Sequence, residues 1–158
     1  MKKFAILVPA VALIVACGSS NSLQAGQWEF TTKMTDIELP GMPPAMQAQA
    51  KQAMAGQQQQ TFSRCMTQAE AENPGGSLAN PGGNAQGCTF SKQTFAGGNI
   101  DVAGSCRAPT GGTMDTTLAG TYTATEINAR ITANVTGGPQ AMRMSGTMTG
   151  RRTGDCAG

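Results

Sequence analysis

Residues 113–152 read TMDTTLAGTYTATEINARITANVTGGPQAMRMSGTMTGRR, and this stretch decides the fold. It divides into three runs rich in threonine and other β-branched residues, at about 113–122, 126–136 and 141–152. Such runs favour strands, and the short segments Thr123-Ala124-Thr125 and Gly137-Gly138-Pro139 separate them. The stretch therefore predicts three consecutive strands of an antiparallel meander.

Four more strands are predicted upstream. The first contains Trp28 and Phe30, which alternate with polar residues at a period of two, and this places Trp28 on the core side. The second covers 59–66, and the last two, 88–95 and 99–106, flank the glycine-rich connection Ala96-Gly97-Gly98 of a hairpin. Because seven short strands dominate, we expect a mainly β domain with a strongly curved sheet or a small, incomplete barrel. The glycines that would let the sheet curl are Gly104, Gly120, Gly146 and Gly150.

Helical signals are few. Pro44 to Ala55 is rich in good helix formers and predicts one short surface helix, although a disordered Gln/Ala-rich loop continuing to Gln60 is an alternative. Thr67 and Glu70 have the spacing of a capping box that opens one helical turn. The segment 73–87, with its Asn-Pro-Gly-Gly sequences, is predicted to be a loop.

The first 17 residues indicate export. Met1-Lys2-Lys3 is a basic start, and residues 4–16 form an apolar run too short to span a bilayer as a helix, so residues 1–16 are predicted to be a signal peptide. Ile14-Val15-Ala16-Cys17 resembles the bacterial lipobox, and this resemblance implies cleavage before Cys17 and lipidation of its sulfur and amino group. An ordinary secretory signal cleaved elsewhere is the alternative.

The predicted mature chain is a single domain with a thin core. Residues 17–26 are the lipidated cysteine and a tether, and 27–156 form one β domain. Leu, Ile, Val and Phe number only 14 among the 142 residues that follow the signal peptide. Losing Lys2 and Lys3 leaves nine basic residues against nine acidic ones, and this neutrality argues against nucleic acid as a partner.

The cysteine count supports the same organisation. Lipidation of Cys17 leaves four cysteines, which can form two disulfides in an oxidising compartment. A three-residue turn at 96–98 places Cys88 opposite Cys106, and Cys65 is then left to pair with Cys156.

Catalytic groups are scarce. The chain has no histidine, which excludes Ser/His/Asp and Cys/His catalysis and histidine-bound zinc. The carboxylate pairs Asp36/Glu38 and Glu70/Glu72 are expected to be solvated surface rather than a general acid and base. We therefore expect no enzymatic activity and no cofactor.

Methionine is the unusual enrichment. Met142, Met144 and Met148 share one face of the last strand, with Arg143 on the other, and they are the weak candidates for a metal site. Thioethers select Cu(I) and can act as an oxidation sink. The competing interpretation is that methionine fills an irregular core.

The ordered combination of several motifs resembles a known bacterial family. It comprises Gly26-Gln27-Trp28-Glu29-Phe30-Thr31-Thr32, Leu39-Pro40-Gly41-Met42-Pro43, the cysteines at 65, 88 and 106, Met144-Ser145-Gly146 and Gly154-Asp155-Cys156. It is similar to domain-of-unknown-function family 3617 over residues 23–156. The resemblance implies a small exported envelope protein with four cysteines. It supplies no activity, because the family has none assigned.

Two functional interpretations follow. The first is a non-enzymatic envelope protein, anchored by its lipid to the membrane, in which the β domain is a structural or binding module. In the sorting rule for bacterial lipoproteins, an aspartate just after the lipidated cysteine is a signal for retention in the inner membrane. Gly18 and Ser19 stand at these positions, so the expected location is the outer membrane, facing the periplasm. The second is a lipocalin-like carrier of a small apolar ligand; an envelope protein is the other conceivable partner.

Overall fold

The computed structural model describes residues 22–79, 86–108 and 111–157. The predicted signal peptide, Cys17 and the first residues of the predicted tether lie outside the described residues. In the part of the chain that is described, no helix is both long enough and apolar enough to span a membrane.

The described residues form seven strands and three short α-helices. The strands are β1 (Gly26–Glu38), β2 (Gln59–Met66), β3 (Gln86–Ala96), β4 (Asn99–Arg107), β5 (Thr113–Tyr122), β6 (Glu126–Thr136) and β7 (Met142–Gly154). The helices are α1 (Pro44–Met54), α2 (Gln68–Glu72) and α3 (Gly75–Ala79), and a 3₁₀ turn at Ala55–Gln57 follows α1.

All strands belong to one antiparallel sheet in the order β2-β1-β7-β6-β5-β4-β3. The strands β3 to β7 are a meander, and β1 then pairs with β7 and carries β2 on its other side. Among the described residues β2 and β3 are edge strands, so the sheet curls without closing. The predicted mainly β fold with a curved, incomplete barrel is confirmed.

The four glycines predicted to permit curling all face the inside of the sheet. A Cβ atom on Gly120 would overlap the carbonyl oxygen of Asn128, and one on Gly146 would overlap that of Lys33. On Gly150 it would lie 2.8 Å from the Phe30 ring. The backbone of a neighbouring strand thus leaves no room for a side chain at Gly120 and Gly146, and the Phe30 ring fills the space beside Gly150.

The core lies between the inner face of the sheet and the connection from β2 to β3. Trp28 and Phe30 are fully buried, and their stacked rings have centroids 5.9 Å apart. The connection carries α3 against β3, β4 and β5, where Leu78 is fully buried. The prediction of a loop over 73–87 is therefore wrong for Gly75–Ala79, which are helical because Leu78 completes the core, and for Gln86 and Gly87, which begin β3.

The two helices with recognisable sequence signals are present. The helix predicted at Pro44 to Ala55 is α1, which has proline in its first turn. In α2 the Thr67 hydroxyl accepts a hydrogen bond from the Glu70 N–H, and the Glu70 carboxylate accepts one from the Thr67 N–H. The predicted capping box is confirmed.

The hairpin between β3 and β4 differs in detail from its prediction. Ala96 pairs with Asn99, so the turn has two residues, Gly97 and Gly98, with φ of +58° and +78°. Glycine adopts positive φ values without strain, and two successive positive φ values are typical of the tightest hairpins. The predicted three-residue turn is therefore wrong. A bulge at Ser91 shifts the register back by one residue, so that Thr89 pairs with Ser105 as the three-residue turn would require.

Candidate functional site

A half-open cleft lies on the inner face of the sheet beside α1. Its volume is about 200 Å³. The lining residues come from β1, α1, β2, β7 and the residue after the 3₁₀ turn: Thr32, Met34, Ile37, Met54, Gln58, Gln60 and Met144.

An irregularity in β1 gives the cleft its apolar floor. Met34 is an even number of residues from Trp28 and Phe30, so a regular strand places all three on the same face of the sheet. Ile37 is an odd number of residues away, so a regular strand would place it on the other face. A register shift between Met34 and Asp36 inserts Thr35 as an extra residue, which turns Ile37 back to the inner face. Ile37 then pairs with Met144 of β7, so that two strands contribute to one apolar surface.

The helix α1 forms the opposite wall and is only loosely attached. None of its residues is buried, and Met46 is 55% exposed. The side turned toward the sheet carries the half-buried Gln47, Ala50 and Met54, of which only Met54 is large and apolar. A helix with only one such anchor gains little free energy from packing on the sheet. We refer to α1 as the lid of the cleft.

The lining of the cleft is uncharged. Charges appear next to it, in an adjoining pocket of about 80 Å³, which shares Met34 and Ile37 with the cleft and adds Asp36 and Lys51. There Lys51 Nζ lies 3.7 Å from the Asp36 carboxylate, and both side chains are about half exposed. This pair is the ionic link between α1 and β1 at the rim of the cleft.

The structure separates the three methionines that the sequence proposed as metal candidates. Met144 lines the cleft, Met148 is fully buried in the core, and Met142 lies opposite Val135. The cleft instead combines Met144 with Met34 and Met54, which sequence reasoning missed as site residues. The alternation of faces along β1 could have placed Met34 on the inner face. Met54 lines the cleft only because of where α1 lies in the tertiary structure.

Asp36 and Glu38, one of the predicted carboxylate pairs, are surface groups, each beside a cation. The Asp36 carboxylate has its Lys51 partner, and Glu38 lies 4.0 Å from Arg143 Nη1 with both side chains more than half exposed. Asp36, Glu38 and Arg143 line an open groove of about 430 Å³.

The Glu70 carboxylate interacts with groups of the fold on both sides, Arg64 and Thr67. Arg64 Nη2 lies 3.4 Å from the Glu70 carboxylate, and the Arg64 guanidinium lies 5.9 Å from the centre of the Phe30 ring. The hydrogen bond from the Thr67 N–H is the main cause that lowers the pKa of Glu70. Burial opposes it, and the Thr67 hydroxyl and the Arg64 charge lower the pKa further. The described residues contain no group of three or more Cys, Asp or Glu placed to hold a metal ion.

The structure places both predicted cysteine pairs at disulfide distance. The Cα atoms of Cys88 and Cys106 are 4.0 Å apart, and those of Cys65 and Cys156 are 5.4 Å apart. Cys17, the predicted lipidation site, lies outside the described residues.

These features define a class of protein: a small, open antiparallel β domain with two cysteine pairs and a methionine-lined cleft under a helical lid. The chain belongs to the DUF3617 family, described as proteins of unknown function, whose sequence profile matches residues 23–156. Comparisons with curated proteins and with solved structures found no match.

Proposed function

We propose that this protein is a non-enzymatic, lipid-anchored bacterial envelope protein, and that its β domain binds a small ligand in the cleft beside α1. The observation that carries the binding proposal is the cleft itself, because there the sheet leaves an apolar space unfilled beside a helix with no buried residue.

Two features support attachment through the N-terminus. The lipobox-like sequence ends in Cys17, and the remaining four cysteines lie in two pairs, as expected in an oxidising compartment such as the periplasm. The first described residues also hold the chain in a fixed exit direction. The carbonyl oxygen of Gln24 accepts a hydrogen bond from Trp28 Nε1, and that of Ala25 accepts one from Arg152 Nε.

The distance along β1 from its first residue to the cleft supports the same proposal. The tether enters at Gly26, whereas Met34 of the cleft lies eight residues further along β1. At roughly 3.3 Å per residue of strand, the two are about 26 Å apart. This separation along β1 supports a cleft that stays accessible to a ligand from the surrounding solution in the anchored protein.

The size of the cleft favours a small ligand over a lipocalin-like cargo. Drug-sized ligands occupy sites of about 300–1,000 Å³. The cleft has about 200 Å³, and the core around Trp28, Phe30 and Leu78 is filled. The larger groove with Asp36 and Glu38 is lined mainly by outward-facing polar residues, which suit no apolar cargo.

Xenon tests whether the cleft is open to a small guest, because it enters apolar cavities without needing any specific partner. The exported protein is labelled with ¹³C at its methionine methyl groups and equilibrated with xenon. We expect the resonances of Met34, Met54 and Met144 to shift, and that of exposed Met46 to stay in place. Unshifted cleft resonances would show that the cleft is closed and would contradict a binding module.

A further inference from the structure

We propose that the cleft beside α1 is a binding site for a soft monovalent metal ion, Cu(I), held by the thioethers of Met34, Met54 and Met144. The proposal rests on the proposed function, since it names the ligand of the same cleft. It differs from the sequence-based candidates, because Met142 and Met148 lie outside the cleft.

The primary observation is that three methionines line the same cleft. Met34, Met54 and Met144 come from β1, α1 and β7, so their meeting follows from tertiary structure and not from one methionine-rich segment. They make up three of the seven lining residues. Because the methionine side chain has three rotatable bonds, three such groups around one small space can bring their sulfur atoms to a common centre.

The chemistry of the lining selects the metal. Thioethers are soft, neutral ligands that favour Cu(I), whereas Mg²⁺ and Ca²⁺ require several hard oxygen ligands that are mostly carboxylates. The other lining residues, Thr32, Ile37, Gln58 and Gln60, carry no charge. The four cysteines that the structure describes are paired, so no free thiol among them competes for the ion.

Packing alone accounts less well for these methionines. A methionine that fills a core is enclosed, as Met148 is at 0% exposure. Met34, Met54 and Met144 are instead half-buried around an open space. A single ion needs far less room than the 300 Å³ or more of a drug-sized ligand, which matches the small volume.

The lid gives the site a means of entry. Because α1 is attached through few contacts, it can move away from β1 and β7 and carry Met54 with it. Binding of an ion by Met54 together with Met34 and Met144 would fasten the helix to the sheet. Metal binding is therefore expected to slow amide hydrogen exchange in α1 while leaving the central strands unchanged.

Silver provides the first test, because Ag(I) has the same preference for thioethers and needs no reductant that could open the disulfides. The exported protein, with its disulfides intact and its methionine methyl groups labelled with ¹³C, is titrated with silver nitrate. We expect one equivalent to shift three methyl resonances, and substitution by leucine to assign them to Met34, Met54 and Met144.

Affinity for Cu(I) is then measured by competition with a chromogenic chelator, bicinchoninate, under anaerobic conditions with ascorbate. Met54→Leu keeps an apolar side chain of similar size and is expected to weaken Cu(I) binding at least tenfold. Met46→Leu, on the exposed side of the same helix, is the matched control and is expected to change it less than twofold. Trp28 fluorescence verifies that both variants remain folded.

The outcomes distinguish the two proposals. If xenon shifts the cleft methyl resonances and silver does not, the metal site is refuted while a cleft for a small apolar ligand stands. If neither reagent affects them, both proposals fail. Equal loss of affinity in the Met46 and Met54 variants would also overturn the metal site, because it would mean that silver and copper bind methionines at the surface.

Discussion

Cys65 and Cys156 have Cα atoms 5.4 Å apart although 91 residues separate them in the chain. Cys65 lies on the edge strand β2, and Cys156 follows the end of β7. Between them lies β1, whose Gln27 pairs with Cys65 on one side and with Gly154 on the other. A bond between these cysteines therefore fastens both the edge strand and the C-terminal segment to the middle of the sheet.

We predict that the two cysteine pairs differ in their effect on stability. In the chain-entropy model a disulfide stabilises more when it closes a longer loop, by about 3 kcal/mol for 15 residues and nearly 5 kcal/mol for 100. Cys65 and Cys156 are 91 residues apart, but Cys88 and Cys106 only 18. The double serine variant of the first pair should therefore lose more free energy of unfolding in urea than that of the second.

Peptide mapping without reduction provides the control for this comparison. It should recover Cys65 joined to Cys156 and Cys88 joined to Cys106. A peptide joining Cys65 to Cys88 would contradict the register described for β3 and β4.

Trp28 is predicted to be the largest single contributor to the core. It is fully buried, stacks on Phe30 and donates a hydrogen bond to Gln24, in a domain with few other large apolar side chains. Trp28→Ala should cost about 3–5 kcal/mol of unfolding free energy, measured by urea denaturation with circular dichroism. Met46→Ala, at an exposed position, should change it by less than about 0.5 kcal/mol. A Trp28→Ala variant with unchanged stability would refute the role of this residue in the core.

Gly120 is predicted to tolerate no side chain. A Cβ atom there meets the backbone of Asn128 and Ala129 on the neighbouring strand, which cannot give way without breaking the ladder. Gly120→Ala should therefore lower the free energy of unfolding by at least about 2 kcal/mol, which thermal denaturation will detect. Gly56→Ala is the matched control, because Gly56 has open space around it. Equal effects of the two substitutions would show that the close approach of the strands is not what requires glycine.

The charge of Glu70 is predicted to stabilise the fold in a pH-dependent way. Folding lowers the pKa of Glu70 from its ordinary value of 4.5, chiefly through the Thr67 N–H. The stabilisation is thus fully present above pH 4.5 and is lost as the pH falls through the lower, folded-state pKa. Because the side chain is about one third exposed, solvent screening limits the effect to less than about 1 kcal/mol.

Glu70→Gln isolates this charge, since glutamine can still complete a capping box. Wild type should be more stable than the variant in urea at pH 7, and the difference should shrink as the pH falls below 4.5. A difference that persists unchanged at pH 3 would assign the effect to packing.

Lipidation of Cys17 is predicted to hold the protein at the membrane. The bound acyl chains contribute roughly 0.8 kcal/mol per buried methylene, and stable anchoring takes more than one chain. Cys17→Ser should release the protein into the soluble fraction of cells and remove the mass of the acyl groups. Ser19→Ala, two residues further on, is the control and should remain in the membrane fraction. Retention of Cys17→Ser at the membrane with unchanged mass would disprove the lipoprotein assignment.

The sequence by itself determined the strands and their faces, because alternation of apolar and polar side chains is a local property of a strand with one buried side. It thereby placed Trp28 and Phe30 on the core side and predicted that the strands of the meander run antiparallel. It also placed Cys88 opposite Cys106, although the two-residue turn at Gly97 and Gly98 and the bulge at Ser91 were not foreseen.

Only the tertiary structure decided the site. The bulge at Thr35 reverses the parity of Ile37, and such a bulge depends on how β1 pairs with β7 rather than on the residues of β1 alone. Met54 reaches the cleft because α1 folds back over β1, and Leu78 is buried because α3 crosses the open side of the sheet. These contacts join residues distant in the chain, and local periodicity carries no information about which of them will meet.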